Sequence, residues 1–168
     1  KCLPEFYEGL LKLLLKKKYS VRIVDNLSKP GSSPDKNCEF VKADLTDPVA
    51  TNNAFKGADI CINLAAKIGG IGYFHKYPAT IIVDNNKIYS STFEAAVKNK
   101  LERMVYISSS MVYENATKFP TKESDMSKMP IPTTSYGISK LIGEKYCKAF
   151  WIQYKLPYMS TIQCLRPQ

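Results

Sequence analysis

Apolar residues Leu3, Phe6, Tyr7, Leu10, Leu11, Leu14 and Leu15 recur at a helical interval, and Lys16, Lys17 and Lys18 close the run. That pattern predicts an amphipathic helix whose cationic end suits the helix dipole. After a turn at Tyr19-Ser20 the rhythm changes. Val21–Asp25, Glu39–Asp44, Asp59–Ala66, Met104–Ser108 and Tyr158–Leu165 are short β-rich or apolar runs that predict strands. Thr46–Gly57, Ala79–Asn99 and Tyr136–Lys155 predict helices between them. Ser28–Pro34 predicts a loop by its Pro, Gly and Ser content, Ile68–Pro78 a Gly-rich loop, and Ala116–Pro132 a polar loop. Strands alternating with helices predict βαβ units in one domain over residues 1–168. The expected class is α/β, a doubly wound parallel sheet of Rossmann type with ligands at the carboxyl ends of the strands.

Composition narrows the function. The chain has 168 residues, 45% hydrophobic and 23% charged, which is ordinary globular composition. No apolar run approaches the roughly 20 residues of a membrane helix, and no secretory signal is evident. Cys2, Cys38, Cys61, Cys147 and Cys164 are scattered without CxxC spacing and odd in number. They read as reduced, inert thiols packed as small hydrophobes, so a cytoplasmic location is expected. The single histidine, His75, reads as a loop residue and leaves no Ser-His-Asp, Cys-His or His-rich metal chemistry within the chain. A net charge of +9 fits a phosphate-bearing partner. The lysines are spread along the chain, however, so most of that charge reads as solvated surface rather than a nucleic-acid site.

The predicted strand ends share a theme. Asp25 ends the first, Asp44 the second, Ala65-Ala66 the third and Ser108-Ser109-Ser110 the fourth. A carboxylate at the position of Asp25 can accept hydrogen bonds from both ribose hydroxyls and repel a 2′-phosphate, favouring NAD over NADP. An Asp there serves equally well as a turn or cap. Tyr136 and Lys140 stand at i and i+4, on one face of their helix. An ammonium near a phenol favours phenolate; moving its pKa from about 10 to about 7 requires roughly 4 kcal/mol, from the lysine and a positive nicotinamide together. A tyrosine so tuned could exchange a proton with a sugar hydroxyl. Ser109, 27 residues before Tyr136, could hydrogen-bond the reacting oxygen.

Asp25-Asn26-Leu27, Asp44-Leu45, Asn63-Leu64-Ala65-Ala66, Ser108-Ser109-Ser110-Met111-Val112-Tyr113, Tyr136-Gly137-Ile138-Ser139-Lys140 and Leu165-Arg166-Pro167 occur in this order. The set resembles the extended short-chain dehydrogenases/reductases of the NAD-dependent sugar-nucleotide epimerase/dehydratase group, from about Glu5 onward. The resemblance implies bound NAD, with Tyr136 as acid and base, Lys140 on the nicotinamide ribose and lowering the tyrosine pKa, and Ser109 on the substrate oxygen. It also implies Asp25 and Asn26 at the adenosine ribose, Asp44 and Leu45 at the adenine, and Ala65, Ala66 and Lys67 at the middle of the cofactor. Asn86 would be the family's helix asparagine, in a structural or water-holding role. A homodimer through Ala79–Asn99 and Tyr136–Lys155, a four-helix contact, is expected by the same resemblance.

Departures from the group refine the reaction. Where the family has its first strand and glycine turn, this chain has residues 1–9, with Glu5 and Glu8 in place of two glycines and Phe6 between them. The usual first strand and glycine turn, and the C-terminal substrate domain, are expected to be lacking. Family dehydratases carry an Asp-Glu pair where this chain has Ser110-Met111. The 3,5-epimerases and fucose synthases carry a catalytic cysteine in place of Met111, whose thioether cannot shuttle protons. A nucleotide-sugar 4-epimerase using NAD needs neither group and is the favoured expectation. The alternatives are a GDP-sugar epimerase or reductase relative, suggested by Lys67–Tyr77, and a non-catalytic binding module of the same fold.

Overall fold

A computed structural model describes residues 2–29 and 36–163. The expected loop Ser28–Pro34 lies mostly outside them, as do Cys164 and the Leu165-Arg166-Pro167 motif. The chain divides into two compact units, one through Asp44 and one from Leu45 onward.

In the first unit α1 (Cys2–Lys16) precedes two parallel strands, β1 (Arg22–Asp25) and β2 (Glu39–Lys42). The apolar stripe of α1 turns Leu11 inward, at 5% exposure. The helix ends as its sequence predicts: Lys18 takes a left-handed φ of 63°, and the Tyr19 amide reaches back to the Leu14 carbonyl at 3.1 Å. Register pairs Arg22 with Glu39 and Asp25 with Lys42, and an Arg22 Nε–Glu39 Oε2 ion pair of 2.8 Å reinforces the first.

The second unit runs α2 (Pro48–Phe55), β3 (Ile60–Asn63), α3 (Ile71–Lys76), α4 (Pro78–Lys98), β4 (Arg103–Ser109), α5 (Ser135–Tyr154) and β5 (Tyr158–Gln163). Its three strands form a parallel sheet in the order β3-β4-β5. Asp47 caps α2 by accepting from the Val49 and Ala50 amides at 2.8 and 3.2 Å, and Pro48 occupies the first helical position. The core is assembled from Ile81, Tyr89 and Phe93 of α4, Met104 and Tyr106 of β4, and Cys147 of α5. Close approach of α5 to β4 requires Gly143, since a Cβ there would lie 2.2 Å from the Tyr106 hydroxyl.

The α/β class with parallel strands therefore matches expectation, in two ladders among the described residues rather than one sheet. Two expected loops contain helix. Ile68–Pro78 holds α3, which the glycines at 69, 70 and 72 disguised, and Ala116–Pro132 holds a 3-10 turn over Glu123–Lys128. His75 accordingly sits exposed on α3 rather than in a loop. Burial pushes the thiols of both Cys147 and Cys61 up to about 12; by exposure Cys147 is buried, and Cys38 and Cys61 are half-buried. No described helix is long and apolar enough to cross a membrane.

Candidate active site

The chemistry-bearing residues of the second unit gather where β4 ends. β4 is the central strand of its sheet, and Ser109 is its last residue, opposite Gln163 of β5. The Ser109 hydroxyl caps a short 3-10 turn, Ser110–Tyr113, by accepting from the Met111 amide at 3.2 Å. The same side chain lies close enough to Tyr136 to lower the pKa of its phenol. Tyr136 and Lys140 lie one turn apart on α5, at 7% and 4% exposure. The Lys140 ammonium is 5.8 Å from the centre of the Tyr136 ring and donates to the Ile107 carbonyl at 2.7 Å. Serine, phenol and ammonium thus converge at the carboxyl end of one strand, as the spacing predicted.

The electrostatics differ from expectation. Burial pushes the Tyr136 phenol above its ordinary value, and nearby Ser109 pulls it only part of the way back. Lys140 does not lower it, because the ammonium points at the Ile107 carbonyl and is itself pushed down to about 8 by burial. The protein alone therefore keeps this phenol protonated.

Two residues that sequence reasoning passed over align these groups. Glu114, just beyond the 3-10 turn, accepts from the Thr133 hydroxyl at 2.9 Å, the Thr134 amide at 2.6 Å, the Thr134 hydroxyl at 2.6 Å and the Thr133 amide. Burial would raise its carboxyl, but the bonds from Thr134 and Thr133 outweigh that and hold it below the usual range. Thr134 in turn caps α5, accepting from the Gly137 amide at 3.0 Å. The carboxylate so ties the Ser109 turn to the start of the Tyr136 helix. Phe74 of α3 stacks on Tyr136, ring centres 5.2 Å apart and planes 6° from parallel.

The asparagine of α4 that makes the structural hydrogen bonds is Asn85, next to the expected Asn86. The Asn85 side chain accepts from the Lys67 amide at 2.6 Å and donates to the Lys67 carbonyl and the Ser139 hydroxyl at 3.2 and 3.1 Å. It is fully buried, whereas the Asn86 Oδ1 is enclosed without a hydrogen-bond partner. Helical periodicity held the signal, since Asn85 shares a face with Ile81, Ile88 and Tyr89. The bonds of Asn85 fix the loop after β3, in which the Ala65 amide donates to Asn63 Oδ1 at 3.1 Å. Ala66 is half-buried beside it, and the Lys67 ammonium lies 3.8 Å from the Asp84 carboxylate. The Leu45 carbonyl, before α2, accepts from the Ser91 hydroxyl.

In the first unit Asp25 behaves partly as a turn residue, its Oδ1 accepting from the Leu27 amide at 2.6 Å. Asn26 donates to Asp44 Oδ2 at 3.4 Å. Asn26, Ser28, Lys42, Ala43 and Asp44 line an open cleft of about 490 Å³ at the carboxyl ends of β1 and β2. Carboxylate and amide groups around such a cleft fit a ribose and base. A pyrophosphate cradle is not found among the described residues: Gly9 lies inside α1, a Cβ there would meet nothing within 4 Å, and Glu8 is exposed beside Lys12 at 4.0 Å.

The chain is similar to known proteins. The GDP-L-fucose synthase of Escherichia coli is 34% identical over 100 residues, which are 58% of this chain and 31% of that protein. The GDP-mannose 3,5-epimerase of Arabidopsis thaliana is 34% identical over 117 residues, 67% of this chain and 31% of that protein. A Thermotoga maritima UDP-glucose 4-epimerase, solved with UDP-glucose, superposes with a TM-score of 0.80 at 26% identity, covering 90% of this chain and 50% of that one. The chain thus spans about a third of these relatives and half of that structure. The profile of the NAD dependent epimerase/dehydratase family matches residues 8–165, nearly the whole chain, and the chain belongs to that family.

Proposed function

We propose that the chain carries the proton-transfer site of a nucleotide-sugar epimerase acting at one sugar carbinol, in the manner of a 4-epimerase. The observation that carries this reading is the meeting of Ser109, Tyr136 and Lys140 at the end of β4. Tyr136 exchanges a proton with the sugar hydroxyl, Ser109 holds that oxygen by a hydrogen bond, and Lys140 holds the nicotinamide ribose. NAD, when bound, supplies the hydride acceptor and, as a cation, the positive charge that favours phenolate. Asp25, Asn26 and Asp44 are the residues for its adenosine portion, and Leu45, Ala65, Ala66 and Lys67 those for its adenine edge and middle. Met111 offers no proton shuttle, which supports simple removal and return of hydride at one carbon.

A GDP-sugar substrate is the second reading, supported by the two 34% identical relatives, both named for GDP-sugars. Incubation with NAD and either UDP-glucose or GDP-mannose, followed by chromatography of the sugars, tests both. Interconversion by the chain and a loss of about 10²–10⁴-fold in Tyr136→Phe is the expected result. Equal turnover by the variant would refute the mechanism. NAD binding without turnover of any sugar would instead favour a non-catalytic module.

The same reading includes a homodimer through α4 and α5, which leave Val83, Trp151, Ile152 and Tyr154 exposed at 45–60%. Light scattering of the purified chain tests it, with a monomer at micromolar concentration as the contrary outcome.

A further inference from the structure

Between the loop held by Asn85 and the start of α4 lies α3, a six-residue helix on which His75 and Lys76 are exposed and Tyr73 and Phe74 half-buried. Both of its ends are fixed. Asn85 grips the backbone of Lys67 ahead of it, and the Tyr77 carbonyl accepts from the Ile81 amide of α4 at 3.2 Å behind it. Gly69 lets the chain fold back over this helix, since a Cβ there would lie 2.6 Å from the Tyr73 ring. So small an element, held at each end, presents one aromatic ring to the site. That ring is Phe74, half-buried and almost parallel to the Tyr136 phenol.

We propose that Phe74 is a positioning residue that covers one face of the Tyr136 ring, fixing its plane and keeping water from the phenol. The inference rests on the reading of Tyr136 as the proton-transfer residue. Tyr136 is only 7% exposed although it sits in the first turn of its helix, where a side chain is ordinarily accessible from the strand end. Phe74 stacks on its ring, and Ser109 lies near enough to lower its pKa. Lys140 also lies near the ring, but at 5.8 Å and turned toward Ile107. Offset or parallel stacking restricts rotation of a phenol about its ring axis without touching its oxygen. Phe74 can therefore set the ring plane and exclude solvent while leaving the hydroxyl to Ser109 and a sugar. The raised phenol pKa agrees with this shielding, because burial is its largest cause.

The test needs no turnover. Tetranitromethane modifies accessible, ionisable tyrosines, and peptide mass mapping reads each site separately. Tyr19, 58% exposed in the first unit, serves as internal reference. In Phe74→Ala the nitration of Tyr136 relative to Tyr19 should rise at least about five-fold; in Phe74→Tyr, which keeps a stacking ring, it should stay near wild type. Circular dichroism should show both variants folded, since Phe74 is itself only half-buried, on a six-residue helix. Unchanged Tyr136 nitration in a folded Phe74→Ala would overturn the proposal. Loss of the folded spectrum in that variant would overturn it too, by assigning Phe74 to the core. Failure of the epimerase reading leaves these reactivities untouched and shows instead as absent sugar interconversion, so the two can be told apart.

Discussion

Lys140 is an expensive residue to bury, and that makes its role measurable through stability. At 4% exposure its ammonium has one recorded hydrogen-bond acceptor, the Ile107 carbonyl at 2.7 Å, and burial pushes its pKa from 10.5 to about 8. Below pH 8 both the folded and the unfolded chain carry the proton, and the folded state bears the whole penalty of about 3 kcal/mol. Between 8 and 10.5 the unfolded chain binds more protons, so stability rises with pH. Integrating between those two pKa values, the folded state gains about 2 kcal/mol from pH ~6.5 to ~9.5. Lys140→Met fills the same channel without a charge and has no such dependence. The difference in unfolding free energy between wild type and Lys140→Met, from urea melts across that range, should therefore move by about 2 kcal/mol in favour of wild type as pH rises. Tyrosines common to both proteins cancel in the difference. A flat difference, within the roughly 10–15% uncertainty of denaturant extrapolation, would refute the claim that the ammonium is buried and poorly compensated.

Other perturbations test neighbouring parts of the site. Glu114→Ala should cost about 2 kcal/mol at neutral pH, because four hydrogen bonds to one carboxylate are lost. Its carboxyl is held below 4.5, so that stability is present above 4.5 and fades as pH falls through the lower folded value; acid denaturation of the two proteins should converge there. Gly143→Ala should destabilise by about 1–3 kcal/mol despite the better helix propensity of Ala, and thermal melts should show relief by Tyr106→Val but not by Tyr106→Phe, whose Cζ would still lie 2.3 Å from the new Cβ. Asn85→Ala should lose about 2–3 kcal/mol, with faster hydrogen exchange at the Lys67 amide it releases.

Much of this was legible from residue pattern. Apolar runs located the strands, and the i, i+4 relation of Tyr136 and Lys140 placed both on the buried face of α5. The capping acid Asp47 with Pro48 marked the start of α2 locally. What escaped depends on partners distant in sequence. α3 forms among three glycines with its Phe74 stacked on the Tyr136 ring, a contact that no local propensity records. Asn85 and Asn86 are adjacent amides, separable only by the helical face that Ile81 and Ile88 define. Glu114 is unremarkable in sequence until the chain returns nineteen residues later with Thr133. The direction of the Tyr136 shift escaped because proximity of an ammonium is readable from spacing, whereas burial and the ammonium's other acceptor are not.

The energetic character of the site follows from these same features. A lysine pushed down to about 8 and a phenol pushed up are both held against the preference of a folded interior, and neither relieves the other. Each would be better replaced by an apolar residue if packing alone mattered, since Lys140 fills space between Tyr106 and Tyr136, 5.3 and 5.8 Å from their ring centres. Several polar groups around them are matched, Ser139 to Asn85, Asn63 to Thr92 and Glu114 to its threonines, while the Tyr89 hydroxyl and Asn86 Oδ1 are enclosed without a hydrogen-bond partner. The cost of burying ionisable groups thus falls on the pair to which the proposed function assigns proton transfer. A cation bound beside the phenol would favour phenolate and oppose the effect of burial, so the strain in Tyr136 is of the sign that a bound oxidised dinucleotide relieves. Tyr136 phenolate absorbance, taken as wild type minus Tyr136→Phe, should therefore titrate at lower pH with NAD present than without it, and an unchanged titration in a chain shown by calorimetry to bind NAD would contradict this account.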